Sequence, residues 1–306
     1  MRVDSINLSQ HFSEELFMPT LFGANQSYFC MMEFDTRKAY LFDYDGKMIY
    51  KEKKILPSFL KKHKVNLQMS DSSIWAHAPF FNAIYKFNIQ GNLTDSLKLK
   101  KNDGDYLVTF DDDEKSFVLQ NSKTISQKKK THKKYKTHKK CLTIFDIAHK
   151  RTKKFYDFPK HFNHKKLYIN PPLVIIEKEL IYVKSQISPE IAVYSIKGKH
   201  LYSFGQKSSV YQYVEQQTLD KIKKFTPIFT ASNFVKEQGK ENFAVFYPTN
   251  YMTTDEKTHM IYQMFENKEF AEMTIEGVYP ISYTKDDKIY FFKPTFPQAL
   301  LIYQLK

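Results

Sequence analysis

The sequence has 306 residues, of which 42% are hydrophobic and 16% are aromatic, so it can build a substantial core. No run approaches the ~18 consecutive apolar residues that a membrane-spanning helix needs, and residues 1–16 lack the apolar stretch of a signal peptide. These features exclude a helical membrane protein and predict an unexported chain as the sequence stands, while the net charge of +14 favours anionic partners.

One hairpin pattern recurs along the chain. In Ile191–Phe204, two runs rich in β-branched and aromatic residues flank the tight-turn dipeptide Lys197-Gly198. Similar units begin at Ala39, Ala83, Cys141, His259 and Ala299. The intervals between units are uneven, about 40 to 70 residues, which is typical of propeller blades with variable loops.

Two further strand-like runs precede each unit. They are Leu16–Leu21 and Tyr28–Phe34, Val65–Met69 and Ser73–Ala78, Tyr106–Phe110 and Ser116–Gln120, Leu173–Ile176 and Leu180–Lys184, Pro227–Thr230 and Phe243–Tyr247, and Val278–Tyr283 and Lys288–Phe292. The pattern predicts an all-β fold, a six-bladed β-propeller of four-stranded antiparallel blades, as a single domain over residues 1–306. A β-sandwich or two separate β domains are the alternatives, because regular strand spacing alone does not choose among them.

The last unit lacks its outer strand, because the chain ends at Lys306. The alternating segment Arg2–Leu8 at the other terminus is the expected donor. Pairing it beside Ala299–Leu305 would close the ring and remove exposed strand edges.

The pattern in Ile191–Gly205, with Tyr194 in its first run, Gly198 in the turn and Phe204-Gly205 at the end, resembles NHL-repeat propellers. The whole chain is similar to bacterial six-bladed propellers of that superfamily. The resemblance implies an unassigned function, and an association with the cell envelope if a leader segment precedes the chain.

The charge is concentrated in one segment. Residues 126–140 are expected to form a flexible loop, because Lys128–Lys140 contains eight lysines and no acidic residue. This loop is either a solvated surface feature or an arm that binds a polyanion. The candidate binding residues are Lys128, Lys129, Lys130, Lys133, Lys134, Lys136, Lys139 and Lys140.

Strand direction alternates within a blade, so the connections divide between two faces. Second-to-third-strand loops and blade-to-blade connections share one face, and most of the longer connections belong to it. Loops often carry function, so this face is the predicted binding surface. The residues predicted at the channel mouth there are Glu15, Asn66, Asp105, Asn170, Thr226 and Tyr279.

These residues suggest two functions of different classes. A ring of Glu, Asn and Asp is similar to the calcium site of six-bladed lactonases of the gluconolactonase type, which implies a calcium-dependent hydrolase. However, no catalytic triad, phosphate loop or histidine-rich metal spacing is present. The leading prediction is therefore a monomeric, non-catalytic scaffold. It uses no cofactor and binds a protein, peptide or glycan partner.

Three residues complete the set of candidates. Cys30 and Cys141 lie two blades apart and belong to no metal-ligand spacing, so both are expected to be buried thiols. Trp75, the single tryptophan, is either a packed aromatic side chain or a surface on which a ligand stacks.

Overall fold

The structure is a computed structural model in which four-stranded antiparallel sheets follow one another along the chain. It describes residues 2–11, 19–25, 27–33, 39–53, 65–70, 72–100, 106–111, 113–120, 141–156, 172–185, 190–205, 233–237, 240–248, 259–266, 269–276, 279–283, 288–293 and 299–304. Within these ranges the helical elements are two short 3₁₀ turns, at Ser9–His11 and Pro79–Phe81.

The first three sheets take their strands in chain order. Sheet 1 contains β2 (Pro19–Ala24), β3 (Tyr28–Glu33), β4 (Ala39–Asp43) and β5 (Met48–Lys53). Sheet 2 contains β6 (Asn66–Met69), β7 (Ser73–Ala78), β8 (Ala83–Asn88) and β9 (Leu93–Lys98). Sheet 3 contains β10 (Tyr106–Phe110), β11 (Ser116–Gln120), β12 (Leu142–Asp146) and β13 (Arg151–Phe155).

The remaining sheets repeat this order until the last, which joins the two termini. Sheet 4 contains β14 (Leu173–Glu177), β15 (Leu180–Lys184), β16 (Ile191–Ser195) and β17 (His200–Phe204). Sheet 5 contains β18 (Asn233–Lys236), β19 (Phe243–Pro248), β20 (His259–Glu266) and β21 (Glu269–Glu276). Sheet 6 contains β22 (Tyr279–Tyr283), β23 (Lys288–Lys293), β24 (Ala299–Gln304) and β1 (Arg2–Asn7).

The first strands of the sheets line the middle of the molecule. Each contacts the first strand of the next sheet, and β22 contacts β2, so the series returns to its start. Small twisted sheets arranged in this way form a β-propeller, which confirms the predicted all-β propeller class. The predicted pairing of the N-terminal segment is also confirmed, because β1 pairs antiparallel with β24 from Asn7↔Ala299 to Arg2↔Tyr303.

One predicted strand is wrong in position. The first strand of sheet 5 was expected at Pro227–Thr230, which lies outside the described residues, but the structure places it at Asn233–Lys236. Phe234 is buried in the layer between sheets 4 and 5 and supplies the apolar contact that fixes this strand. The turn that follows this strand begins at Glu237, whose N–H donates to the Asn242 carbonyl.

The core consists of apolar layers between consecutive sheets. Sheets 6 and 1, for example, enclose Phe29, Phe42, Tyr290 and Leu300. The described residues resolve four more layers, one between each successive pair of sheets from 1 to 5. Each layer buries apolar surface from two sheets, and this burial stabilises the fold by about 25 cal/mol per Å². Neighbouring sheets therefore stabilise each other.

The turn after the third strand is built in one way in sheets 1 to 4. A short polar residue ends the strand, and its side-chain oxygen accepts a hydrogen bond from a backbone N–H three or four residues later. These residues are Asp43, Asn88, Asp146 and Ser195. The side chain thereby replaces part of the backbone pairing that the tight turn interrupts.

Candidate binding face

The strand directions define two faces. We call the side with the second-to-third-strand connections and the connections between sheets the loop-rich face, and the opposite side the turn face. On the loop-rich face, β7 ends and β8 begins at Ala78 and Ala83, and β11 ends and β12 begins at Gln120 and Leu142. The turn face carries short turns such as Ser70–Ser73 and Asp111–Ser116.

The predicted channel-mouth residues are only partly within the described ranges. Asn66 and Tyr279 are the first residues of β6 and β22, at the loop-rich end of two innermost strands. Their side chains, and the whole of Glu15, Asp105, Asn170 and Thr226, lie outside the described residues. This site therefore remains a prediction.

The predicted lysine arm also remains a prediction. All eight lysines of Lys128–Lys140 lie outside the described residues. Their place in the chain, between β11 and β12, is fixed by the described pairing Gln120↔Leu142 at the loop-rich end of sheet 3. Gln120 and Leu142 are the paired residues nearest to this segment on either side of it.

An exposed aromatic side chain lies on this face one sheet away. Phe80 belongs to the 3₁₀ turn Pro79–Phe81, which connects β7 to β8, and it is 72% exposed. The other exposed large apolar side chains among the described residues are Ile49, Leu93 and Leu201, all on outermost strands. Among the described residues of the loop-rich face, Phe80 is therefore the one large apolar side chain that is exposed.

The turn that carries Phe80 is held at both ends. Pro79 restricts φ at its start, and Asn82 closes it in the left-handed conformation (φ 48°, ψ 49°), donating its N–H to the Pro79 carbonyl at 3.1 Å. The carbonyl of Asn82 accepts a hydrogen bond from the buried Leu99 at 2.7 Å. Phe81 packs against the apolar layer between sheets 1 and 2.

Two buried polar groups lie at the loop-rich ends of sheets 3 and 4. Lys184, the last residue of β15, is fully buried, and burial holds the pKa of its ammonium group well below its usual value. Its Nζ donates to the Ser185 carbonyl at 2.8 Å. Burial also raises the pKa of the Tyr156 hydroxyl, which shares a hydrogen bond with Ser185. Both groups therefore favour their uncharged forms.

Tyr156 is also unusual in its backbone. Its φ of 58° is rare for a bulky side chain. The carbonyl of Tyr156 accepts hydrogen bonds from the Cys141 N–H at 3.1 Å and from the Cys141 thiol at 3.6 Å. Cys141 is a buried thiol, as is Cys30 in sheet 1, and the sequence predicts both.

The turn face is rich in paired carboxylates. Glu114 forms an ion pair with Lys86 and accepts a hydrogen bond from the Ser70 hydroxyl, which joins sheets 2 and 3. Burial alone would raise the pKa of Glu114, but the hydrogen bonds and the charge of Lys86 outweigh it and lower that pKa. Glu177 and Lys236 form a similar ion pair between sheets 4 and 5.

Trp75 is a packed residue. Its ring is nearly buried and stacks on Phe110 with centroids 4.3 Å apart, inside the layer between sheets 2 and 3. Lys86 Nζ also lies over the ring, 5.1 Å from its centroid. The packing interpretation of this tryptophan is therefore the correct one.

Two features are absent from the described residues. In this part of the chain, no group of three or more His, Cys, Asp or Glu side chains is arranged to hold a metal ion. Nor does any helix within it have the length and apolar character to cross a membrane.

Sequence reasoning did not identify Phe80 or Lys184. The signal for Phe80 was available, because Pro79-Phe80-Phe81 places two aromatic residues after a proline, between two strands that a turn must connect. Lys184 gave a weaker signal, since a lysine at the end of a strand usually points its charge to solvent.

Comparison with known proteins supports the fold and leaves the function open. No protein-family profile and no curated protein matches the sequence. Among solved structures, a member of the DUF4221 family from Bacteroides vulgatus superposes with a TM-score of 0.64 at 9% identity, covering 100% of this chain and 97% of that one.

Two further structures show the same fold at lower similarity. The virginiamycin B lyase of Staphylococcus aureus superposes with a TM-score of 0.52 at 12% identity, with 99% of each chain covered. A Bacteroides thetaiotaomicron protein of unknown function gives 0.50 at 10% identity, covering 99% of this chain and 72% of that one. These likenesses concern the propeller fold alone.

Proposed function

We propose that the protein is a non-catalytic, six-bladed binding propeller that holds an anionic polymeric partner on its loop-rich face. The observation that supports this most is the excess of carboxylates on the described turns of the turn face. On the described turns of the turn face, carboxylates such as Asp43, Asp111 and Glu177 outnumber lysines, although the chain carries a net charge of +14. The positive charge must therefore be carried elsewhere.

The loop-rich face is where that charge is expected. In the sequence the lysine segment 128–140 stands between β11 and β12, whose paired residues Gln120 and Leu142 lie at this end of sheet 3, and this supports its assignment to the loop-rich face. A positive face opposite a negative one orients an approaching anion and accelerates its association. The arm contains lysine and no arginine, which favours binding by charge over the bidentate recognition of individual bases.

A calcium-dependent hydrolase in the channel remains the alternative of another class. Its predicted ligands, Glu15, Asn66, Asp105 and Asn170, supply oxygen donors, which calcium prefers. A rise in melting temperature with Ca²⁺ that EDTA reverses would support this alternative, because a ligand that binds only the folded state stabilises it.

Binding of fluorescent poly-L-glutamate, followed by anisotropy, tests the proposal. We expect binding at about 50 mM NaCl that is largely lost at about 300 mM, because salt screens exposed charges. Replacing Lys133, Lys134 and Lys136 with Gln should weaken binding roughly tenfold at the lower salt concentration.

A charge-matched variant provides the control. Lys47, Lys197 and Lys199 are exposed lysines on the turn face, and their replacement with Gln changes the net charge by the same amount. We expect less than about a twofold loss of affinity in this variant. An equal loss in both variants would show that binding follows net charge alone and would contradict a specific face.

A further inference from the structure

We infer that the junction of sheets 4 and 5 contains a binding site for a primary alkylammonium ion, which the chain fills with the ammonium group of its own Lys236. This site lies at the turn face and does not depend on the partner proposed for the loop-rich face. Its basis is the set of groups around one atom, Lys236 Nζ, which are one carboxylate, two backbone carbonyls and two aromatic rings.

Each of the three N–H groups of this ammonium has an acceptor. Glu177 of β14 forms an ion pair with Nζ. The carbonyls of Glu237, at 3.1 Å, and of Lys240 accept hydrogen bonds from it in the turn after β18. A lysine ammonium has three donors, so these acceptors match its hydrogen-bonding capacity. The Lys236 side chain is 5% exposed, so the protein replaces most of its contact with water.

Two aromatic rings complete the site on its apolar side. Lys236 Nζ lies 5.6 Å from the ring centroids of both Tyr182 and Phe243, which supply one ring from each sheet. At such distances a cation is attracted by the negative face of the ring. Burial raises the pKa of the Tyr182 hydroxyl, so this residue offers a neutral ring, and Glu177 supplies the negative charge.

The walls of the site are held by contacts that do not involve the ammonium group. Phe243 stacks on Phe234 with ring centroids 5.5 Å apart and contacts the Tyr182 ring at 4.9 Å, inside the apolar layer between sheets 4 and 5. In the turn, the Asn242 side chain donates to Glu237 Oε2 at 2.7 Å, and the Glu237 N–H donates to the Asn242 carbonyl. A site with preformed walls requires little reorganisation to accept a ligand.

The ion pair between sheets 2 and 3 is a simpler arrangement and provides a control. Lys86 pairs with Glu114, its Nζ lies over the Trp75 ring, and its side chain is 28% exposed. Within the described residues, no backbone carbonyl accepts a hydrogen bond from this Nζ. Lys86 therefore represents an ion pair beside an aromatic ring without the enclosed acceptor set.

Chemical complementation tests the inference. Lys236→Ala keeps Cβ and removes the segment from Cγ to Nζ, which n-propylammonium reproduces atom for atom. We expect n-propylammonium chloride at about 100 mM to raise the melting temperature of this variant by about 2–4 °C, because a ligand that binds only the folded state stabilises it. Tetramethylammonium chloride at the same concentration should have less than about a quarter of this effect, since this cation has no N–H donor.

Matched variants separate a specific site from a general effect. Wild type should respond to n-propylammonium by less than about 1 °C, because the tethered Lys236 ammonium has a far higher effective concentration than the added ion. Lys236→Met, whose side chain occupies the site without charge, and Lys86→Ala should respond as weakly as wild type. Adding Glu177→Gln to Lys236→Ala should abolish the response, because this substitution removes the negative charge from the site.

The outcomes decide the inference in both directions. An equal rise in Lys236→Ala and Lys86→Ala, or an equal rise with both salts, would indicate a general effect of salt and contradict the site. A folded Lys236→Ala variant whose melting temperature does not rise would also overturn it. If Lys236→Ala does not fold, the measurement is the recovery of its far-ultraviolet circular dichroism on refolding in each salt. Recovery with n-propylammonium alone would support the site, and any other result would contradict it.

Discussion

At the scale of single residues, the buried Lys184 makes the stability of the protein depend on pH. Lys184 is fully buried and directly opposite Leu173 and Ile191 on the neighbouring strands. Burying a charged ammonium group among such neighbours is costly, so the group favours its neutral form. The residue therefore links the stability of sheet 4 to pH.

The sign of that link follows from the direction of the pKa shift. Because the pKa of Lys184 is lower in the folded chain than in the unfolded one, the unfolded chain binds more protons between the two values. The free energy of unfolding should therefore rise with pH up to about 10.4, the unperturbed lysine value. In Lys184→Met we expect this slope to weaken and stability at pH 7 to rise by about 1 kcal/mol.

Chemical denaturation at several pH values measures this effect. Lys178→Met, an exposed lysine in the same sheet, is the control and should keep the wild-type slope. If Lys184→Met destabilises the protein at every pH and keeps the slope, then the ammonium group is charged in the folded chain.

Glu114 has the opposite pH dependence. Its pKa is lowered in the folded chain, so its contribution is present above the usual glutamate pKa and is lost as the pH falls below it. Glu114→Gln should lower the free energy of unfolding by about 1 kcal/mol at pH 7, because Lys86 and Ser70 lose a charged acceptor.

Urea unfolding at pH 7 and pH 3 checks this expectation. The difference in free energy of unfolding between Glu114→Gln and wild type should be smaller at pH 3. Asp113→Asn, which removes an exposed ion pair with Lys115, should change stability by less than about 0.5 kcal/mol. A similar loss for both substitutions would contradict a specific role for Glu114.

At the scale of elements, the packing of β1 against sheet 1 can be tested by mutation. The turn after β4 contains Gly46 at φ +80°, and a Cβ there would overlap Ile6 Cγ2 of β1. The absence of a side chain at Gly46 therefore serves two purposes, the left-handed turn and close packing of sheet 6 on sheet 1.

A double-mutant cycle separates these two purposes. Gly46→Ala should cost about 2–4 kcal/mol from backbone strain and overlap together. In the double variant with Ile6→Ala, the overlap is relieved, so the combined loss should be smaller than the sum of the single losses by about 1 kcal/mol. Additive losses would show that β1 does not pack against this turn.

The strands were largely predictable from the sequence, for reasons that individual strands show. Ser73–Ala78 and Leu180–Lys184 were predicted with the bounds they have in the structure, because polar residues precede both runs, and Pro79 and Ser185 follow them. The first strand of sheet 5 was misplaced, because Asn233–Lys236 has only two apolar residues and acquires its strand character from packing against sheet 4.

A repeat within the outer strands gives independent support for β1. The segment from Asp4 to Leu8 matches that from Asp95 to Leu99, each with Asp-Ser at its start and a buried leucine at its end. In both, the aspartate accepts a hydrogen bond from the next N–H at 2.7 Å. This bond occupies a backbone N–H on an outermost strand. Such a donor, when unpaired, can pair with a strand of another chain.

At the scale of the whole molecule, the fold was easier to predict than the site. Strand alternation fixes which connections share a face, so the loop-rich face followed from the sequence. The burial of Lys184 and the presentation of Phe80 did not follow, because both depend on contacts between residues distant in the chain. For Phe80, the Leu99–Asn82 hydrogen bond crosses from the end of β9 to the start of β8.

The proposed difference in charge between the two faces is the basis of the functional account. Hydrogen–deuterium exchange with and without poly-L-glutamate tests it most directly, because it reports which face a partner covers. We expect slower exchange in peptides covering Pro79–Asn82 and Gln120–Cys141, with no change at the turns Asp111–Ser116 and Glu237–Asn242. Protection confined to those turns would contradict the account and place the partner on the opposite face.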